Sequence, residues 1–485
     1  MGGQMNISIL KKLFLEKFDK ECLETVLLVP AGSPRQYYRL SNGKITAIGA
    51  YNKDVRENRA FFHFTKHFLS KSLPVPEVYA ISEDEMHYLL EDLGDTTLKD
   101  MTDSLRKGWE FPLEMIPWYH KAIDNLILFQ VRGHTGLDYS LSMPRHTFDG
   151  RSILWDLNHF KYFFLKLSGI PYDEDKLEND FQNLSLRLGS VEKDSFLFRD
   201  FQSRNIMVKN DKLYFIDYQG GREGALQYDI ASLLFEARTN MGSVLREEFL
   251  KYYLESVSRV KKQNFKPGKF LSDYHLFALI RQLQAMGAYG LRGWVEKKPL
   301  FLQSVPFAMQ NLKYFLQKEP ATLEIYPELK RLMGIMVTDE KLNKAMPVAG
   351  EKLCVRISSF SYHKSIPDDL TGEGGGFVFD CRGIHNPGRY PEFKNQTGLD
   401  PEVKKFFVEK TDMNSFLNDV FSIVDRSIET YIERGFKNLQ LSFGCTGGQH
   451  RSVYAAQKMA GHLEHNRSLS VLLEHREINF RQLPT

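Results

Sequence analysis

One segment constrains this chain more than any other: Phe196 to Tyr218, which reads FLFRDFQSRNIMVKNDKLYFIDY. Arg199-Asp200 is followed five residues later by Asn205, the spacing R-D-x-x-x-x-N. Two apolar runs come next, separated by the turn pair Asn210-Asp211, and Asp217 ends the second run. A hairpin of this kind holds an amide and two carboxylates close together. Phosphoryl transfer depends on positioning and on metal charge rather than on covalent chemistry, and it needs such a set. Asp200 is the candidate catalytic base, taking the proton of an attacking hydroxyl. Asn205 and Asp217 are the candidate ligands for magnesium.

The rest of the chain divides around this segment. Residues 1–92 predict a small lobe in the order strand, polar loop AGSPRQ, strand, strand, helix, strand, strand. Its helix VRENRAFFHFTKHFLSK carries Phe61, Phe64 and Phe68 at helical spacing. Residues 93–330 read as a mainly helical lobe interrupted by the hairpin. Residues 331–350 are weakly periodic and read as a linker. From 351 to 485 strands and helices alternate, with GEGGG as a flexible turn, which predicts a small α/β domain. The fold class expected is thus an α+β bilobal protein-kinase-like fold followed by a small α/β domain.

Composition sets limits on partners and compartment. Four cysteines, Cys22, Cys354, Cys381 and Cys445, are too few and too scattered for a disulfide framework or a zinc site. The N-terminus reads as an amphipathic helix, with no apolar core followed by a cleavage site, and no run approaches a membrane span. A cytoplasmic protein without a membrane partner is the expectation. Residues 351–485 hold equal numbers of basic and acidic side chains, which gives little support to an RNA partner.

The N-terminal two-thirds resembles the aminoglycoside phosphotransferase/choline kinase superfamily, and within it the kinases that phosphorylate N-acetylmuramate and N-acetylglucosamine at the anomeric position. The residues that carry the resemblance are Gly32-Ser33, Arg35 and Tyr37-Tyr38-Arg39, then FRDFQSRNIM, FIDYQGG, and Gln227 to Ala231. It implies an ATP- and magnesium-dependent phosphotransferase acting on a sugar hydroxyl. Gly32, Ser33, Arg35 and Tyr37 would cover the phosphates of ATP, Glu91 and Leu93 would sit at the adenine hinge, and Asp229 would be a structural acid beside the catalytic loop. Two positions depart from the pattern. Phe198 stands where the family has His, with loop packing as the expected consequence. The third strand, ITAIGAY, lacks the lysine that binds the α- and β-phosphates. Lys53 follows that strand and Lys44 precedes it. Glu57 could hold a lysine or a metal-bound water, or be exposed. Trp155, Asp156, Arg281 and Arg292 face either a sugar site or the core and surface.

The C-terminal segment SFGCTGGQHRSVY joins a strand to a helix through two glycines. Backbone N–H groups, a helix start and Arg451 make an anion cradle there. It spans Cys445, Thr446, Gly447, Gly448, Gln449, His450, Arg451 and Ser452. Cys445 to Arg451 also fits C-x5-R, the loop of thiolate phosphatases, with Asp380 as the one attractive acid. The domain resembles the C-terminal domain of the RNase adapter protein RapZ family. FDCR at 379–382 with Asn386-Pro387, TGLDPEV at 397–403, the cradle itself, and EHRE at 474–477 carry that resemblance. It implies binding of a phosphorylated amino sugar, or of RNA, with His450 and Arg451 as donors and Asp380, Arg382 and His475 as neighbours. The family's usual P-loop half, G-x4-G-K-[ST], is not in this chain. The leading expectation is an amino-sugar kinase fused to a phosphate-ligand-binding module. The alternatives are a regulatory binding protein with a weak kinase lobe, and a Cys-dependent phosphatase in the C-terminal domain.

Overall fold

The computed structural model describes residues 2–28, 35–106, 110–343, 353–367, 376–464, 466, 469–478 and 480–482. Gly32 and Ser33, the segment 344–350 and most of the GEGGG turn lie outside them. The chain divides into two compact units, Met1–Leu291 with Ser304–Lys344, and Arg292–Gln303 with Ala345–Thr485.

The first unit opens with a helix, Gly2–Phe18, laid on a five-stranded antiparallel sheet. The strands are β1 Glu24–Leu28, β2 Gln36–Ser41, β3 Thr46–Tyr51, β4 Val78–Ile81 and β5 His87–Glu91, in the spatial order β1-β2-β3-β5-β4. Alternation sorts their side chains. Tyr38, Leu40, Ala47 and Leu89 pack against Leu10, Leu13 and Phe14 of the first helix, so Tyr37, Ala50 and Tyr88 take the opposite face. Gly49 is required on the helix side, because a Cβ there would lie 2.6 Å from Leu40 and 2.9 Å from Leu10. The helix Val55–Ser70 follows β3, capped by Asp54, whose carboxylate accepts the N–H groups of Arg56 and Glu57. This is the strand and helix order expected from the sequence.

A helical lobe follows, with four short strands inset: β6 Ser195–Leu197, β7 Ile206–Lys209, β8 Lys212–Phe215 and β9 Arg222–Gly224. β7 and β8 form the expected hairpin, turning through Asn210 and Asp211 at φ of 51° and 57°. Both residues tolerate the left-handed region better than most. Phe198 is buried among Phe129, Phe196 and Phe201, with ring centroids 4.9–5.1 Å apart. It therefore serves as packing, as its apolar character implies. The lobe runs past residue 330. Pro327–Thr338 is a helix with Leu329, Leu332, Met333 and Met336 fully buried. The linker reading of residues 331–343 is corrected accordingly: those apolar positions lie at i, i+3, i+4 and i+7 and fill the core.

The second unit is an open α/β sheet in the order β11-β12-β10-β13-β14. Its strands are β10 Leu353–Ser361, β11 Gly376–Asp380, β12 Asn438–Cys445, β13 Leu469–His475 and β14 Phe480–Gln482. The first four are parallel, and β14 pairs antiparallel to β13. Val355, Leu439, Leu441, Val424 and Met459 lie at the centre of its core. No helix among the described residues is long and apolar enough to cross a membrane.

Candidate functional site

Asp200 leaves β6 on a strained loop. Arg199, the residue before it, has φ +84°, a conformation unfavourable for any residue but glycine. Two interactions hold it there. The fully buried Asp229 accepts the N–H of Phe198 at 2.7 Å and of Arg199 at 3.1 Å, and burial raises its own pKa to about 7. The Arg199 guanidinium pairs with the Asp156 carboxylate, donates to the Tyr228 hydroxyl at 2.7 Å, and lies over the Phe148 ring. Asp229 is thus the structural acid expected from the sequence, and Asp156 holds the loop from beneath.

The three acidic and amide groups come together. Asn205 Nδ2 donates to the Asp200 main-chain carbonyl at 2.9 Å and to Asp217 Oδ2 at 3.3 Å. Ile216 N–H donates to the Asn205 carbonyl at 3.1 Å, which ties the hairpin back to the loop. Asp217 has φ +63° and its other oxygen accepts Gln219 Nε2 at 2.7 Å. Asp217 is exposed by area, but protein surrounds its carboxylate. That desolvation, and then the charge of Asp200, push its pKa above the usual carboxylate value. A carboxylate raised by its neighbour's charge in this way favours a cation beside it. The donor set therefore fits a hard, oxygen-seeking ion such as magnesium. No cluster of three or more His, Cys, Asp or Glu exists among the described residues, so this site would take its remaining ligands from nucleotide and water.

Other residues approach this set from distant segments. Arg281, on the helix Pro267–Gly290, places Nη2 3.3 Å from Asp200 Oδ1 and bonds Gln284 and Ser232. Gln202 also donates to Asp200, at 3.2 Å. Arg35, 5 % exposed, pairs with Glu57 at 3.0 Å. Tyr37 lies beside it. Lys53, by contrast, is exposed in the turn before the Val55 helix, and no hydrogen bond or ion pair of its side chain occurs among the described residues. At the hinge Glu91 is bound by Lys209 at 2.9 Å, while Leu93 is buried. Asp92 and Asp95 both pair with Arg39. The Glu91 carboxylate is therefore committed to tying the lobes together.

In the second unit the loop after β12 lies at the carboxyl ends of the parallel strands, where open α/β sheets place ligands. Gly448 has φ +68°, and a Cβ on it would meet Glu477 at 2.4 Å and the Ser361 nitrogen at 2.9 Å. Among the described residues, no hydrogen bond leaves the N–H groups of Thr446, Gly447, Gly448 or Gln449. The side chains are differently employed. Arg451 Nη1 donates to the carbonyls of Arg382 and Ile384 at 2.9 and 3.0 Å, and Nη2 to Thr446 Oγ1 at 3.3 Å. His450 Nε2 bonds the Phe393 carbonyl at 2.9 Å, and Gln449 Nε2 the Gln396 carbonyl. Backbone carbonyls thus take Arg451 Nη1 and His450 Nε2, while Arg451 Nε is buried without a hydrogen-bond partner among the described residues. Cys445 is buried with Sγ 3.2 Å from Ser452 Oγ. Asp380 accepts both the N–H and the guanidinium of Arg382. The geometry therefore assembles no thiolate nucleophile with a free arginine and a free acid.

The remaining motif residues are explained by the same contacts. A Cβ on Gly398 would lie 2.3 Å from the His450 carbonyl oxygen, so TGLDP packs directly on the cradle, with Asp400 accepting Thr397 N–H and hydroxyl. His475 is fully buried between Ser359 Oγ at 3.0 Å and Gln457 Oε1 at 3.3 Å, and burial lowers its pKa to about 4. The unfolded chain then binds the proton more tightly between pH 6.5 and 4. Wild-type stability of this unit should fall as pH drops through that window, by up to ~3 kcal/mol at about 1.4 kcal/mol per unit. Melting curves of wild type and His475→Gln across pH 4–7 check this, and the variant should lack that slope.

Residues 353–479 match the family model described as the RapZ C-terminal domain. A nucleotide-binding protein of Thermotoga neapolitana is 36% identical over 189 residues, covering 36% of this chain and 65% of that relative. One from Methylococcus capsulatus is 35% identical over 130 residues, 27% of this chain and 42% of its own length. The chain thus spans less than two-thirds of either relative. Among solved structures it is similar to the choline kinase LicA from Streptococcus pneumoniae, with TM-score 0.43, 14% identity, and coverage of 63% of this chain and 97% of that one. The aminoglycoside phosphotransferase APH(4)-Ia gives TM-score 0.41 and 14% identity, over 64% and 99%. This chain joins a unit built of a five-stranded antiparallel sheet and a helical lobe to a segment, residues 353–479, that matches the RapZ C-terminal domain.

Proposed function

We propose that the first unit is a phosphotransferase that moves a phosphoryl group from magnesium-bound ATP to the hydroxyl of a small molecule, an amino sugar of the N-acetylmuramate or N-acetylglucosamine type. The observation that carries this reading is the convergence of Asp200, Asn205 and Asp217 in one cleft, at bonded distances. Asp200 accepts the proton of the attacking hydroxyl. Arg281 and Gln202 fix the orientation of its carboxylate. Asn205 and Asp217 would hold magnesium, whose charge offsets that of the phosphate oxygens when it is bound. Arg199, clamped by Asp156 and Asp229, keeps the loop in its strained conformation.

The second unit is read as a binding module for a phosphorylated amino sugar, with the unbonded N–H groups of Thr446–Gln449 as the anion donors. The buried Cys445 and the pairing of Asp380 with Arg382 favour binding over phosphatase chemistry. Screening amino sugars for magnesium-dependent ADP release tests the kinase reading. Titration of ATP against Asp217→Ala, with and without magnesium, tests its metal site. The loss of affinity should be confined to the titration with magnesium. An equal loss in both would remove Asp217 as a ligand, and no ADP release with any acceptor would remove the activity.

A further inference from the structure

β3 has no lysine, yet the place where one would stand can be identified. Ala47 and Gly49 face the N-terminal helix, so Ile48 and Ala50 face the opposite side of the sheet. Ala50 lies in register with Tyr37 of β2 on one side and Tyr88 of β5 on the other. It is fully buried. Arg35 precedes Tyr37 by two residues, and its charge interacts with both Tyr37 and Tyr88. By that spacing it belongs to the face of the sheet that Ala50 shares. From there it reaches Glu57 at 3.0 Å, in the first turn of the Val55 helix. Glu57 is itself steadied by Asn52 Nδ2 at 3.0 Å. On its other side Arg35 is an electrostatic neighbour of Asp217. A cation between the acid of this helix and a metal-binding carboxylate is the position from which nucleotide phosphates are held.

Resting on the kinase reading above, we propose that Arg35 supplies, from the start of β2, the cation for the α- and β-phosphates that β3 lacks at Ala50, with Glu57 as its positioning residue. Arginine suits the task, because its planar fork pairs with a carboxylate and a phosphate at once. The small side chain at Ala50 is then a requirement, since a larger one would displace the guanidinium.

Calorimetric titration of the full chain with ADP and with adenosine, both without magnesium, tests this. Arg35→Ala should weaken ADP by roughly ten- to a hundred-fold, the range for a hydrogen bond to a charged group, and leave adenosine within threefold. Adding Ala50→Lys to that variant should restore most of the ADP affinity. Should Arg35→Ala not fold, Glu57→Gln, at a partly exposed position, reads the same effect as a several-fold loss for ADP alone. Unchanged ADP affinity in the folded variant overturns the assignment. So does an equal loss of adenosine, which would make Arg35 a structural residue of the lobe. A wild-type chain that binds neither compound overturns the kinase reading and this assignment together.

Discussion

Asp200→Asn should lower the rate of ADP release by roughly 10²–10⁴-fold, the usual worth of a general base, with nucleotide affinity little changed. The substitution keeps the shape of the side chain and its contact with Gln202, so the loop has no reason to rearrange. What it removes is the proton acceptor and the negative charge that faces the Arg281 guanidinium, which lies 3.3 Å away. A simple structural role for Asp200 predicts a different outcome, namely a fall in melting temperature with proportionate loss of activity. Turnover and thermal melting measured on the same preparation separate the two. Undiminished turnover would remove Asp200 from the chemistry.

Asp229→Ala should be the most damaging substitution for the fold of the first unit. Its carboxylate accepts two buried backbone N–H groups, of Phe198 and Arg199. Each such group left unpaired costs about 1–3 kcal/mol, and Arg199 would lose the contact that holds it at φ +84°. A destabilisation of about 3–5 kcal/mol is expected in denaturant titration, with activity lost beyond what unfolding explains. The pH dependence has a definite sign. Burial raises the folded pKa of Asp229 to about 7, above its unfolded value. Its contribution to stability is fully present below pH ~4 and is lost as pH rises through about 7. The difference between wild type and Asp229→Ala should therefore narrow over that interval. A constant difference from pH 4 to 8 would mean that Asp229 keeps one protonation state throughout.

The sequence by itself determined the candidate set, because Asp200, Asn205 and Asp217 lie on one loop and the hairpin that follows it. Their separation is fixed by local geometry: five residues of loop, then a turn at Asn210-Asp211 that only a narrow range of residues makes. The alternation of strands with helices from residue 351 onward likewise announced an α/β unit. Tertiary structure alone decided what surrounds that set. Arg281 reaches Asp200 from 81 residues away, and Arg35 meets Glu57 across the turn from β3 to its helix. Neither pairing follows a periodic spacing, so no pattern in the chain could mark it. The same holds for the cradle after β12. Its sequence shows the glycines, His450 and Arg451, but only packing reveals that both side chains are bonded to the backbone of residues 382–393. Among the described residues, the N–H groups of Thr446–Gln449 make no hydrogen bond. A side chain's type sets what it can bind, and the distant segment that packs against it decides whether that capacity is already filled.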